Sequence, residues 1–133
     1  MESKTADQLI QKILKKEALI GIIGMGYVGL PLVLRFCEED LKILGFDVDS
    51  KKVSTLKKGK SYLKSISSSR ISQIIKSGHL DVTDDFSRLG EPDCILICVP
   101  TPLTEKMEPD LQYIEKTTDS IREHLRKGQC IVL

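Results

Sequence analysis

The chain has 133 residues, with 20 lysines and arginines against 19 aspartates and glutamates, four cysteines and no tryptophan. That length supports one core and is too short for two, and 41% hydrophobic with 29% charged residues is the balance of an ordinary soluble globular chain, not of a disordered or fibrous one. A net charge of +1 gives no general pull toward nucleic acid or an anionic membrane, no apolar run approaches the roughly 20 residues of a membrane helix, and the polar N-terminus does not read as a secretory signal.

Residues 1–16 read as a leading amphipathic helix. Ala6, Leu9, Ile10, Ile13 and Leu14 recur at helical spacing, and Thr5 with Gln8 has the pattern of a capping box. The apolar face is expected to pack on a sheet. Leu19-Ile20-Gly21-Ile22-Ile23 is apolar without alternation, as in a strand covered on both faces. Three glycines follow at once, then an apolar helix from Leu30 to Cys37 with Pro31 in its first turn, where a missing N–H costs little.

Lys42 to Phe46 is a second strand, ending at Asp47-Val48-Asp49. Ser50 can cap a short helix carrying Val53 and Leu56 inward, stopped by Gly59. The serine-rich stretch 61–69 contains Tyr62, Leu63 and Ile66, which makes it an ordered loop. A helix over Arg70–Ser77, a weak strand over Leu80–Thr83 and one helical turn over Asp84–Leu89 come next. Asp93 to Val99 is the clearest strand, ended by Pro100 and Pro102. Asp110 then caps a helix whose Leu111, Ile114, Thr118, Ile121 and Leu125 share a face, and Cys130 to Leu133 begins a last strand. Strands alternating with helices imply an α/β fold: a Rossmann-type doubly wound parallel sheet with helices on both faces.

The loop Gly24-Met25-Gly26-Tyr27-Val28-Gly29 follows a strand and opens a helix, the context a dinucleotide fingerprint requires. Gly24 permits the tight turn, Gly26 lets the backbone approach a pyrophosphate, and Gly29 brings the helix close to the strand. The free N–H groups near Tyr27 and Val28, aided by the helix dipole, attract an anion. The acidic partner belongs about 20 residues further on, and Asp47 stands there. Its carboxylate can accept from ribose hydroxyls and would repel a 2′-phosphate, which favours NAD over NADP. Thr101 lies just past the strongest strand, at the ligand end of such a sheet. His79 and His124 have no matched nucleophile. Cys94 and Cys98 share a strand face and read as core. All four cysteines read as buried thiols of a reducing cytosol, without a metal site or a disulfide framework.

These motifs resemble one family. Ile20 to Leu32 with its GYVGLP run, Gly45-Phe-Asp-Val-Asp49 followed by Lys52-Val53, and Ile97-Cys-Val-Pro-Thr-Pro102 look like the opening of the UDP-glucose/GDP-mannose dehydrogenases. Val99 to Thr104 and Pro109 to Glu115, with the leading helix, resemble the branch acting on UDP-N-acetylglucosamine. The resemblance makes residues 17–133 an NAD-binding domain and implies oxidation of a nucleotide sugar at C6, from alcohol to carboxylate, with two NAD reduced in turn. It implies a cysteine that captures the aldehyde as a thiohemiacetal, a separate UDP-sugar domain, and a homodimer or larger assembly in the cytoplasm. Nucleic acid and membrane are not expected partners. None of Cys37, Cys94, Cys98 and Cys130 lies in the glycine-rich context of the family's catalytic cysteine. Only cofactor contacts therefore carry over: Gly24, Met25, Gly26, Tyr27, Val28, Gly29, Asp47, Lys52 and Thr101. Lys52 is expected on the adenosine side. The chain reads as a fragment that binds NAD and oxidises nothing alone. A stand-alone NAD-sensing module is the alternative. A dehydrogenase of the 6-phosphogluconate or hydroxyisobutyrate type ranks below both, because it lacks the VPTP element.

Overall fold

The computed structural model describes residues 2–133, with side chains from Lys4 onward; residue 1 of the leading segment lies outside the described residues. In chain order the elements are α1 (Glu2–Leu14), β1 (Leu19–Ile23), α2 (Gly29–Glu38), β2 (Lys42–Phe46), α3 (Ser50–Lys57), α4 (Ser68–Lys76), β3 (Leu80–Thr83), a 3-10 turn (Phe86–Gly90), β4 (Cys94–Ile97), α5 (Gln112–His124) and β5 (Cys130–Val132). The five strands lie in the order β3-β2-β1-β4-β5, and every neighbouring pair is parallel. The chain runs outward from β1 to β3 on one side, then crosses back to β4 on the other. The reversal at β1 opens a crevice beyond its carboxyl end, the place where such sheets hold ligands.

Each face of the sheet has its own core. On one, Ile20, Ile22, Ile43 and Val82 meet Leu30, Val33 and Leu34 of α2, Val53 and Leu56 of α3, and Ile71 of α4. On the other, Ile23, Leu44, Phe46 and Ile95 meet Leu89 of the 3-10 turn and Ile121 of α5. Parallel strands covered on both faces need continuous apolar runs, and β1, β2 and β4 supply them.

Several local expectations shift. Helix α1 already runs through Thr5, so Thr5 and Gln8 do not frame its start. Leu9 and Ile13 pack on the core, but Ile10 and Leu14 are 51% and 67% exposed. Two of the five residues of the α1 stripe are used. Asp49, not Ser50, caps α3, its side chain accepting from the N–H groups of Lys51 and Lys52. Strand β4 ends at Ile97 instead of Val99, because Pro100 and Pro102 deny the ladder its donors. In α5 the buried positions are Thr117 and Ile121, while Leu111, Thr118 and Leu125 face solvent. Cys37 and Cys94 are buried as expected, but Cys98 is only partly covered and Cys130 is exposed.

The amino end of the sheet is tied by Asp93. Its Oδ2 accepts from Leu19 N–H at 2.9 Å, and its Oδ1 accepts from Lys12 Nζ at 3.1 Å and Arg126 Nη2 at 3.0 Å. Burial opposes ionisation here, but the Leu19 N–H, Arg126 and Lys12 outweigh it and hold the carboxyl below the ordinary aspartate value. This one side chain joins α1, β1, β4 and the turn after α5.

Candidate dinucleotide site

The loop between β1 and α2 is held from both neighbouring strands. Gly24 N–H donates to Phe46 O at 2.7 Å, and Cys98 N–H donates to Ile23 O at 2.8 Å. Gly24 sits at φ +99°, and a Cβ there would come within 2.6 Å of Cys98 O. A Cβ at Gly29 would collide with Gly24 O. Both glycines are therefore required by the protein's own backbone. Gly26 is different. A Cβ built there meets nothing within 4 Å, so the fold itself does not demand a glycine. The space over Gly26 is open, so a ligand could approach the backbone there. Tyr27 and Val28 beside it are exposed. Val28 caps α2 without any side-chain hydrogen bond, which leaves the first turn's N–H groups without a side-chain acceptor.

Met25 is fixed at three points. Its side chain is fully buried and fills the space left by Gly45, where a Cβ would lie 2.8 Å from the Met25 sulfur. Its N–H donates to Asp47 Oδ2 at 2.8 Å. Its carbonyl accepts from the Tyr62 hydroxyl. Asp47 is 8% exposed, and its Oδ1 accepts from Asp49 N–H at 2.9 Å. A carboxylate offers about four lone-pair sites, and the two amides leave about two of them open. No cation pairs with Asp47 among the described residues. The carboxylate thus does two jobs: it positions the glycine loop and keeps acceptor capacity for a ligand.

Tyr62 escaped the sequence reading as a site residue. Its one signal was being the sole aromatic side chain in the serine-rich loop. Burial, then the charges of Asp47 and Asp49, push its phenol well above the ordinary tyrosine range, so it stays a donor to Met25. Lys52 Nζ lies 5.6 Å from the Tyr62 ring centroid, which puts this lysine at the Asp47 side of the loop. The structure thus brings Gly24–Gly29, Asp47 and Lys52 together, with Tyr62 between them. Thr101 stands apart: it is exposed, four residues beyond β4, and makes no hydrogen bond among the described residues. Two concavities lie elsewhere, one of about 540 Å³ along the polar side of α1 and one of about 410 Å³ between α1 and Arg126.

Three comparisons relate the chain to known proteins. Residues 18–133 match the model of the UDP-glucose/GDP-mannose dehydrogenase family, NAD binding domain. The chain is 32% identical over 120 residues to the UDP-N-acetyl-D-mannosamine dehydrogenase of Escherichia coli K12, covering 87% of this chain and 27% of that protein. It is 28% identical over 117 residues to the UDP-N-acetyl-D-glucosamine 6-dehydrogenase of Pseudomonas aeruginosa, covering 88% and 27%. Among solved structures, UDP-D-ManNAc dehydrogenase from Pyrococcus horikoshii superposes with a TM-score of 0.78 at 29% identity, covering 85% of this chain and 27% of that one. The chain thus spans about a quarter of the length of the curated relatives it matches. No helix among the described residues is long and apolar enough to cross a membrane.

Proposed function

The chain belongs to the UDP-glucose/GDP-mannose dehydrogenase family as its NAD-binding domain, and from that premise we propose that Gly24–Gly29, Asp47, Lys52 and Thr101 hold NAD for a nucleotide-sugar 6-dehydrogenase. The observation that carries this reading is Gly26, a glycine with no internal reason to be one, beside a buried carboxylate with unused acceptor sites. When bound, NAD supplies the hydride acceptor. This chain's part is to bind and orient it. The backbone of Gly26, Tyr27 and Val28 faces the diphosphate, and the α2 dipole adds attraction. Asp47 accepts from the adenosine ribose hydroxyls and disfavours a 2′-phosphate. Lys52 lies along the adenosine side, and Thr101 borders the opposite rim.

The whole protein is proposed to oxidise the C6 alcohol of a UDP-sugar to a carboxylate with two NAD. A UDP-N-acetylhexosamine is favoured over UDP-glucose, since relatives named for N-acetylmannosamine and N-acetylglucosamine both match. We place it in the cytoplasm, as a homodimer or larger assembly. Isothermal titration tests the cofactor site directly. NAD should give saturable binding, NADP weaker binding, and Gly26→Val should keep the fold while weakening NAD by about tenfold or more. No saturable signal at millimolar NAD, or undiminished binding by the valine variant, would remove the assignment.

A further inference from the structure

Cys94 opens β4 and Cys130 opens β5, and the two are direct partners in the parallel ladder. Adjacent strands lie about 4.8 Å apart, inside the roughly 4.4–6.8 Å Cα window for a disulfide. Registered partners project to the same face of a sheet, so the Cys94 and Cys130 side chains stand side by side. Their surroundings differ. Cys94 is 7% exposed and joins the α2-side core, whereas Cys130 is exposed. Cys98 lies beyond the last β4–β5 pair, Leu96 with Val132, so it has no such partner.

We propose that Cys94 and Cys130 form a reversible thiol-oxidation site, closed by hydrogen peroxide into an intrachain disulfide between β4 and β5. The exposed Cys130 sulfur takes oxygen from the peroxide; its S–H becomes S–OH and one water leaves. The Cys94 sulfur then attacks that sulfur. An S–S bond forms, the S–O bond breaks, and the hydroxyl departs with the Cys94 proton as a second water. Two thiols lose two electrons and two protons, and one peroxide becomes two waters. Burial, aided by the nearby Cys130 sulfur and Asp93, raises the Cys94 thiol above its ordinary value, so the exposed Cys130 and not Cys94 meets the oxidant first, and Cys94 resolves the sulfenic acid by its registered position beside it.

The test is peptide mapping under non-reducing conditions after treating the folded protein with stoichiometric hydrogen peroxide. The expected product is one intrachain Cys94–Cys130 link, reversed by dithiothreitol. It should vanish in Cys130→Ser and in Cys94→Ser and persist in Cys98→Ser. Cys130→Ser alters an exposed position and keeps the test usable should the Cys94 variant not fold. The proposal is overturned if Cys130 ends as sulfinic acid or as an intermolecular disulfide while Cys94 remains a free thiol.

Discussion

Two buried aspartates sit at opposite ends of one sheet. Asp47 is 8% exposed and Asp93 6% exposed, so burial does not tell them apart. Their partners do. Asp93 is met by two cations and a backbone N–H, which neutralise it and knit four elements together. Asp47 is met by two backbone N–H groups and no cation. A carboxylate held by amides alone, with lone pairs to spare, is suited to receive a ligand. One surrounded by guanidinium and ammonium is suited to hold a fold. The charge balance around a buried acid separates the two roles where accessibility cannot.

The sharpest way to break the contrast is to delete each acid. Asp93→Ala should cost about 2–3 kcal/mol in urea unfolding, since it strands a buried N–H and two cations, the latter already softened by solvent. NAD affinity of the folded variant should stay within about twofold, because the site lies at the other pole. Asp47→Ala should do the reverse, weakening NAD by about 1–3 kcal/mol, with a smaller loss of stability from the freed Met25 and Asp49 amides. Equal effects of the two variants on binding would dissolve the distinction.

Acid sharpens it further. The folded Asp93 carboxyl is held below its ordinary value, so its contribution is present above that value and is lost as pH falls through the folded one. Below about pH 4 the stability of the native protein should therefore drop more steeply than that of Asp93→Asn, and the two curves should converge. Denaturant melts across that range would show it. The smallest expected change is Tyr62→Phe. It removes one donor to Met25 O and should weaken NAD by about 0.5–1.5 kcal/mol, read by titration.

The sheet and the fingerprint loop were legible because both are written locally. Parallel strands read as short apolar runs, and the three glycines stand between a strand and a helix. The α3 cap shifted by one residue because Asp49 and Ser50 both carry cap-forming side chains, and only the folded turn shows which one meets the helix amides. Most of the α1 stripe stayed in solvent because periodicity identifies a face without saying how much of it finds a neighbour. Asp93 and Tyr62 were opaque for a different reason. Their partners lie 74 and 81 residues away for Asp93 and 37 for Tyr62, and no local pattern encodes such pairings. Thr101 was placed by analogy with the sheet's ligand end, and nothing inside the chain fixes it.

Met25 has its thioether wedged against Gly45, its amide given to Asp47 and its carbonyl taken by Tyr62. A residue gripped in this way cannot swing its peptide plane. The turn is already in its receiving shape before any nucleotide arrives, and association incurs little conformational entropy there. The heat signature of NAD capture should then carry almost no contribution from loop folding.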